Sequence, residues 1–173
     1  MDLKPHIRTV PDWPIPGVNF IDITTLLQDA ALFKYVVDEM TKPFEYSKID
    51  KVVGIDARGF LLATPIAYSI GCGVSIVRKE GKLPYKTIKE SYQKEYGLDV
   101  LTMHEDTIKK GEKILIVDDL LATGGTVEAT IKMIERLGGE IIGGSFLINL
   151  KFLGGSKKLS DYRLKWLVEY DEE

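Results

Sequence analysis

The chain has one cysteine and two histidines among its 173 residues, and its net charge is only −3. A lone cysteine, Cys72, cannot form an internal disulfide; this suits a reducing compartment, so a cytoplasmic protein is expected. Between Gly71 and Gly73 in an apolar setting, Cys72 reads as a small buried filler ahead of a strand rather than a nucleophile. His6 and His104 lie too far apart in sequence to make a metal site by spacing. Met1 to Arg8 has no apolar signal core, and no stretch approaches the roughly 20 apolar residues of a membrane span, so no membrane role is expected. The weak net charge gives no support to a nucleic-acid or anionic-membrane partner. Internal repeats and low-complexity segments are also lacking. What remains is an ordinary globular composition, 45% hydrophobic and 28% charged, long enough to bury a core as a single domain over residues 1–173.

The most informative run is Ile114-Leu115-Ile116-Val117-Asp118-Asp119-Leu120-Leu121-Ala122-Thr123-Gly124-Gly125-Thr126. Four apolar residues end in two adjacent carboxylates, then a Gly-Gly turn, then an amphipathic stretch from Val127 to Leu137. This reads as a buried parallel strand, a polar loop at its carboxyl end, and a helix. Ligands of open α/β sheets bind at that end of the strands, and phosphate binds where free N–H groups meet a helix N-terminus. The carboxylates are unsuited to phosphate but suit another part of the same ligand, such as a sugar with two hydroxyls.

The rest of the chain alternates in the same way. Asp29 caps an amphipathic helix carrying Leu32, Phe33, Val36, Val37 and Met40. Lys51 to Asp56 reads as a strand, Gly59 to Ile70 as a helix with Pro65 placed to bend it, and Val74 to Val77 as a strand. Gly138-Gly139 stops the helix after the central motif; Ile141–Leu150 and Leu164–Tyr170 (apolar Leu164, Trp166, Val168) read as two more strands. The predicted fold is α/β, a parallel sheet with helices on both faces. Two segments break the rhythm. Pro11 to Thr25 carries three prolines and reads as a loop-rich N-terminal cap. Arg78 to Lys110 is long, charged and inserted between strands, a length that usually marks a functional lid; a solvated surface hairpin is the alternative.

Other ligand motifs fit poorly. No Gly-Lys-Ser/Thr follows the glycines, as a Walker loop requires, and no Gly-x-Gly-x-x-Gly follows a strand. An acidic Mg²⁺ site of receiver or phosphatase type leaves Thr123-Gly124-Gly125-Thr126 unexplained.

The run from Val117 to Thr126 resembles the phosphoribosyl-diphosphate (PRPP) motif of type I phosphoribosyltransferases, in the form used by the adenine-specific branch of that family. The resemblance implies the family fold, with a small hood (about residues 1–28) and a flexible flap (about 78–110). It implies that Asp118 and Asp119 hold the ribose 2′- and 3′-hydroxyls, while Ala122, Thr123, Gly124, Gly125 and Thr126 wrap the 5′-phosphate. Carboxylates accept hydroxyl protons and glycine lets backbone approach phosphate, which agrees independently. Gly54 to Phe60 resembles the family's pyrophosphate loop, with Arg58 on the leaving group at a helix N-terminus. Arg78-Lys79-Glu80-Gly81-Lys82 resembles its next basic stretch, placing Arg78, Lys79 and Lys82 on PRPP. Ser91 to Gly97 resembles the catalytic flap, with Glu95 as general acid/base and the flap excluding water. The implied reaction is adenine plus PRPP giving AMP and diphosphate. Mg²⁺ is the implied cofactor; it is held by PRPP oxygens and touches Asp118 and Asp119 only indirectly. A homodimer is implied likewise.

Pro14 to Thr24 resembles the base-binding hood of the adenine-specific branch. There Phe20 stacks on the purine with Leu120 or Leu121 opposite, and backbone around Asn19, Phe20 and Ile21 reads the adenine N1/N6 edge. A 6-oxopurine would leave that carbonyl unpaired, and such sites discriminate by about 10⁴–10⁵. The family carries Arg at the position of Ile21: if the contact there runs through backbone the change is harmless, and if the Arg side chain orders the hood, base affinity or selectivity changes. Two other readings are weighed: an enzyme for another purine, against which the hood argues, and a PRPP-sensing regulator. The regulator is disfavoured because Glu95 is present, the charge is negative and the residues before Pro11 are too few for a winged helix.

Overall fold

The structure, a computed structural model, describes residues 1–94 and 97–172. A short antiparallel pair, β1 (Arg8–Val10) and β2 (Phe20–Asp22), precedes α1 (Thr24–Leu27) and α2 (Ala30–Thr41). Then come β3 (Lys51–Ile55), α3 (Arg58–Ile70), β4 (Gly73–Lys79), β5 (Thr87–Lys94) and β6 (Gly97–His104). The chain finishes with β7 (Lys113–Leu121), α4 (Gly125–Arg136), β8 (Glu140–Leu150), α5 (Gly155–Lys158) and β9 (Leu164–Tyr170). One seven-stranded sheet runs in the order β5-β6-β4-β3-β7-β8-β9. Strands β4, β3, β7, β8 and β9 pair in parallel, whereas β6 is antiparallel to β4 and β5 to β6.

Burial explains the layers. Along β3 and β7 successive residues point to opposite faces: Val52, Leu115 and Val117 pack beneath α2 and α3, while Val53, Ile114 and Ile116 pack beneath α4. Strands buried on both faces need apolar residues at nearly every position, which these runs supply. Asp29 caps α2 by accepting from the Ala31 and Leu32 amides, both at 2.9 Å, and α3 passes through Pro65 to end at left-handed Gly71. Among the described residues no helix is long and apolar enough to cross a membrane.

Three expectations change. The sheet is not wholly parallel: 78–110 contains β5 and β6, a hairpin that extends the sheet edge, with Leu101, Thr102 and Met103 buried. Its charged residues hid that strand pattern. The N-terminal cap is not all loop, because Arg8–Val10 and Phe20–Asp22 pair across the proline-rich stretch and Thr24 already begins α1. Strand β7 runs on to Leu121, so Asp118 and Asp119 stand within it rather than beyond it; β8 continues alongside and supplies partners as far as Asn149.

Candidate active site

The carboxylates at the end of β7 are nearly enclosed, with Asp118 at 8% and Asp119 at 5% exposure. Asp118 accepts the Asp119 amide at 2.9 Å, and Asp119 Oδ2 lies 2.7 Å from Arg58 Nε. Burial first, and the adjacent Asp119 charge second, push the Asp118 carboxyl well above the usual carboxylate range. Gly59, in the first turn of α3, makes this packing possible: a Cβ there would stand 2.7 Å from Asp118 Oδ1 and 3.1 Å from the Val117 carbonyl.

Ala122 to Thr126 turn directly into α4. Gly124 is left-handed (φ 80°), and among the described residues no side chain caps the helix, so first-turn N–H groups with no intrahelical acceptor face the loop. Gly155 supports the loop from behind, donating its N–H to Ala122 O at 3.0 Å. Thr130 Oγ1 donates to Thr126 O at 2.8 Å and secures the first turn. Glu128, turned toward Lys158 at 2.5 Å, is held below the usual carboxylate range chiefly by that hydrogen bond.

Arg58 spans two parts of the site. Its guanidinium lies 4.9 Å from the Phe20 ring centroid, and Nη1 donates to Ile21 O at 3.5 Å. One side chain thus links β2 of the hood to Asp119. Ile21 meets Arg58 through its carbonyl, and its side chain packs on the core beneath α2 and α3. Phe20 is braced from its other neighbour by Trp13, ring centroids 4.4 Å apart and edge-on. Gly17 N donates to Asp12 Oδ1 at 2.7 Å and shapes the loop between β1 and β2.

A cavity of about 1070 Å³ opens between these parts. Its walls include Asn19, Phe20 and Ile21 from the hood, Arg58, and Leu120, Ala122, Thr123, Gly124 and Thr126 from the β7–α4 connection. Leu120 faces the cavity whereas Leu121 is fully buried on the α4 side. Gly125 approaches the β5–β6 hairpin instead, where a Cβ would meet the Tyr92 ring at 3.0 Å. Arg78, Lys79 and Lys82 stand outside the lining: Arg78 pairs with Asp56 at 3.2 Å and Lys79 with Asp99 at 3.5 Å, while the Lys82 carbonyl accepts from Arg78. Glu95 lies outside the described residues. The hairpin that leads to it rests on α4, where Arg136 pairs with Glu90 and donates to Lys89 O at 3.0 Å.

Sequence reasoning missed part of the wall. Tyr92 and Gln93 enter from β5, Leu150 and Tyr170 from the ends of β8 and β9, and Phe152 from the 3-10 turn that follows β8. Burial, then the Asp99 carboxylate, hold the Tyr92 phenol protonated far above its usual range. The period-two pattern of β8 and β9 signalled strands but not that their ends reach the cavity.

Comparison with known proteins agrees with this geometry. Residues 24–166 match the model of the phosphoribosyl transferase domain. The chain is 55% identical over 170 residues to the adenine phosphoribosyltransferase of Brachyspira hyodysenteriae, covering 98% of this chain and all of that one. The crystal structure of adenine phosphoribosyltransferase from Rhodothermus marinus superposes with a TM-score of 0.94 at 47% identity, covering 97% and 96% of the two chains. The Saccharomyces cerevisiae enzyme, crystallised with adenine and an imino-altritol bisphosphate, is 34% identical with a TM-score of 0.88 and 95% coverage of each chain.

Proposed function

Since the chain belongs to the phosphoribosyl transferase family, we infer from its cavity how it performs the reaction of that family's adenine-specific members. The chain is an adenine phosphoribosyltransferase, a pentosyltransferase of purine salvage: adenine and PRPP give AMP and diphosphate. The carrying observation is that one cavity joins the helix-capping loop, Leu120, Arg58 and the aromatic hood.

In our reading the 5′-phosphate sits on the N–H groups of Ala122 to Thr126, and the ribose hydroxyls reach Asp118 and Asp119. Phe20 and Leu120 enclose adenine, and backbone around Asn19 to Ile21 reads its N1/N6 edge. The bond from C1′ to diphosphate breaks with its electron pair leaving on diphosphate. As positive charge develops at C1′, adenine N9 forms the new bond and its proton passes to Glu95. Arg58, Arg78, Lys79 and Lys82 answer the charge of the diphosphate; Arg58 must exchange its Asp119 partner to do so. The β5–β6 hairpin acts as the flap that keeps water from C1′.

Phosphoribosyltransferases generally use Mg²⁺ with PRPP, and the hard oxygen donors of Asp118 and Asp119 suit it. When bound, the ion would neutralise diphosphate charge, with PRPP oxygens as its main ligands. We also propose a cytoplasmic homodimer. An apolar groove on the outer face of α2 and α3, formed by Phe33, Phe60, Leu61, Pro65 and Tyr68, supports the second copy; Tyr68 is 89% exposed there. Tyr68→Glu should shift the particle to monomer mass in light scattering.

The principal test is AMP formation with adenine, hypoxanthine and guanine. Turnover with adenine alone, falling about 10²–10⁴-fold in Glu95→Ala, supports the base and proton assignments. Turnover with an oxopurine alone would refute the hood reading.

A further inference from the structure

Asn149 is polar, fully enclosed, and absent from the machinery above. It pairs in β8 with Leu121, the last residue of β7 before the phosphate loop, and no part of it reaches solvent. Its Nδ2 donates to Ser156 Oγ at 3.3 Å and to Glu169 Oε2 at 3.1 Å, using both amide hydrogens. Its Oδ1 is buried with no hydrogen-bond partner among the described residues. A leucine would fill such a core position without an unmet acceptor. The amide is therefore retained at a cost to stability, and what it holds is informative.

It holds the turn beneath the phosphate loop. Ser156 follows Gly155, whose N–H bonds Ala122 O at 3.0 Å. A Cβ at Gly155 would stand 2.2 Å from that oxygen and 2.7 Å from Gly124 N, so loop and turn are in direct backbone contact. On its other side Glu169 is anchored by Lys151, 3.2 Å away, which also pairs with Asp171 at 2.8 Å. Glu169 thereby orients the amide, and the second amide hydrogen is directed at Ser156. The series Glu169, Asn149, Ser156, Gly155, Ala122 connects the last strand of the sheet to the phosphate loop, and none of the first three belongs to the loop itself.

The geometry points to Asn149 as a positioning residue for the 5′-phosphate site: it sets the height of the Ala122–Gly124 backbone through Ser156 and Gly155 without touching substrate. This rests on the reading of Ala122 to Thr126 as the phosphate loop.

The test compares Asn149→Ala, Ser156→Ala and Ser156→Thr in the AMP-forming reaction. The two alanine variants should raise KM for PRPP about five- to tenfold, with kcat and KM for adenine within about twofold of wild type. Ser156→Thr keeps the acceptor oxygen and should stay near wild type; the double alanine variant should be no worse than either single one. The calorimetric affinity for ribose 5-phosphate should fall in the same order. Ser156 is only half-buried, so its two variants carry the comparison if Asn149→Ala does not fold. An unchanged KM for PRPP, or both KM values rising together with a lowered Tm, overturns the positioning role. Wild-type protein that binds ribose 5-phosphate no better than ribose would instead overturn the phosphate-loop reading.

Discussion

On the side of the cavity that we propose holds the 5′-phosphate, Leu121 and Val127 are buried at either end of a loop wedged against Gly155. On the hood side, Trp13 and Ile15 stand about half exposed, at 50% and 49%, on a loop between two three-residue strands. The first wall is continuous with the sheet; the second is joined to Asp119 through Arg58. A phosphate common to PRPP and AMP is well served by a cradle formed in advance, which loses little freedom on binding. A wall with few buried contacts opens more readily, which suits the side proposed for the base.

The comparison can be broken most severely from the rigid side. Gly155→Ala places a Cβ where the Ala122 carbonyl stands, and the loop must move; kcat/KM for PRPP should fall on the order of 10²-fold in steady-state assays, equivalent to about 2.7 kcal/mol. If it falls less than threefold, the loop is not rigid in the sense argued here. Arg58→Met strikes the junction of the two walls. It leaves Asp119 unpaired beside Asp118 and removes the cation from Phe20, so KM for PRPP and adenine should both rise about tenfold. A change in only one of them would show that the walls are independent.

Trp13→Ala tests the hood alone. Losing its edge-on contact with Phe20 removes about 0.5–1.5 kcal/mol. KM for adenine should rise about two- to tenfold while KM for PRPP holds. The gentlest probe is pH. A carboxyl whose pKa is raised in the folded state binds more protons than in the unfolded chain, so its contribution to stability falls as pH rises from the ordinary carboxylate range through the raised value. Asp118→Asn removes that titration. Its Tm relative to wild type should climb across that interval, even as activity is lost; a parallel pair of Tm–pH curves would contradict the assignment.

Local patterns were readable in advance. Asp29 caps its helix, Gly138 follows α4, and the run from Ile114 to Thr126 folds into strand, loop and helix, because each depends on neighbours within a few positions. The hairpin of β5 and β6 was less legible: Lys89, Glu90 and Gln93 present charge or polarity where a strand pattern would be sought, and the edge of the sheet tolerates it. Strands β1 and β2 were obscured by the prolines between them. Ile21 illustrates the limit well, since its departure from the family's Arg gains meaning only once its carbonyl is seen to meet Arg58.

The sequence by itself determined the strand–loop–helix unit, its two carboxylates and the family they resemble, because strand, turn and helix signals lie within one short contiguous run. Only the tertiary structure decided that Arg58 joins Asp119 to Phe20, that Leu120 and not Leu121 lines the cavity, that Phe152 and Tyr170 stand in its wall, and that Asn149 lies buried behind it. Those contacts join residues as far apart in the chain as Arg58 and Asp119. Sheet order and strand register bring such residues together, and neither leaves a periodic trace in the residues themselves.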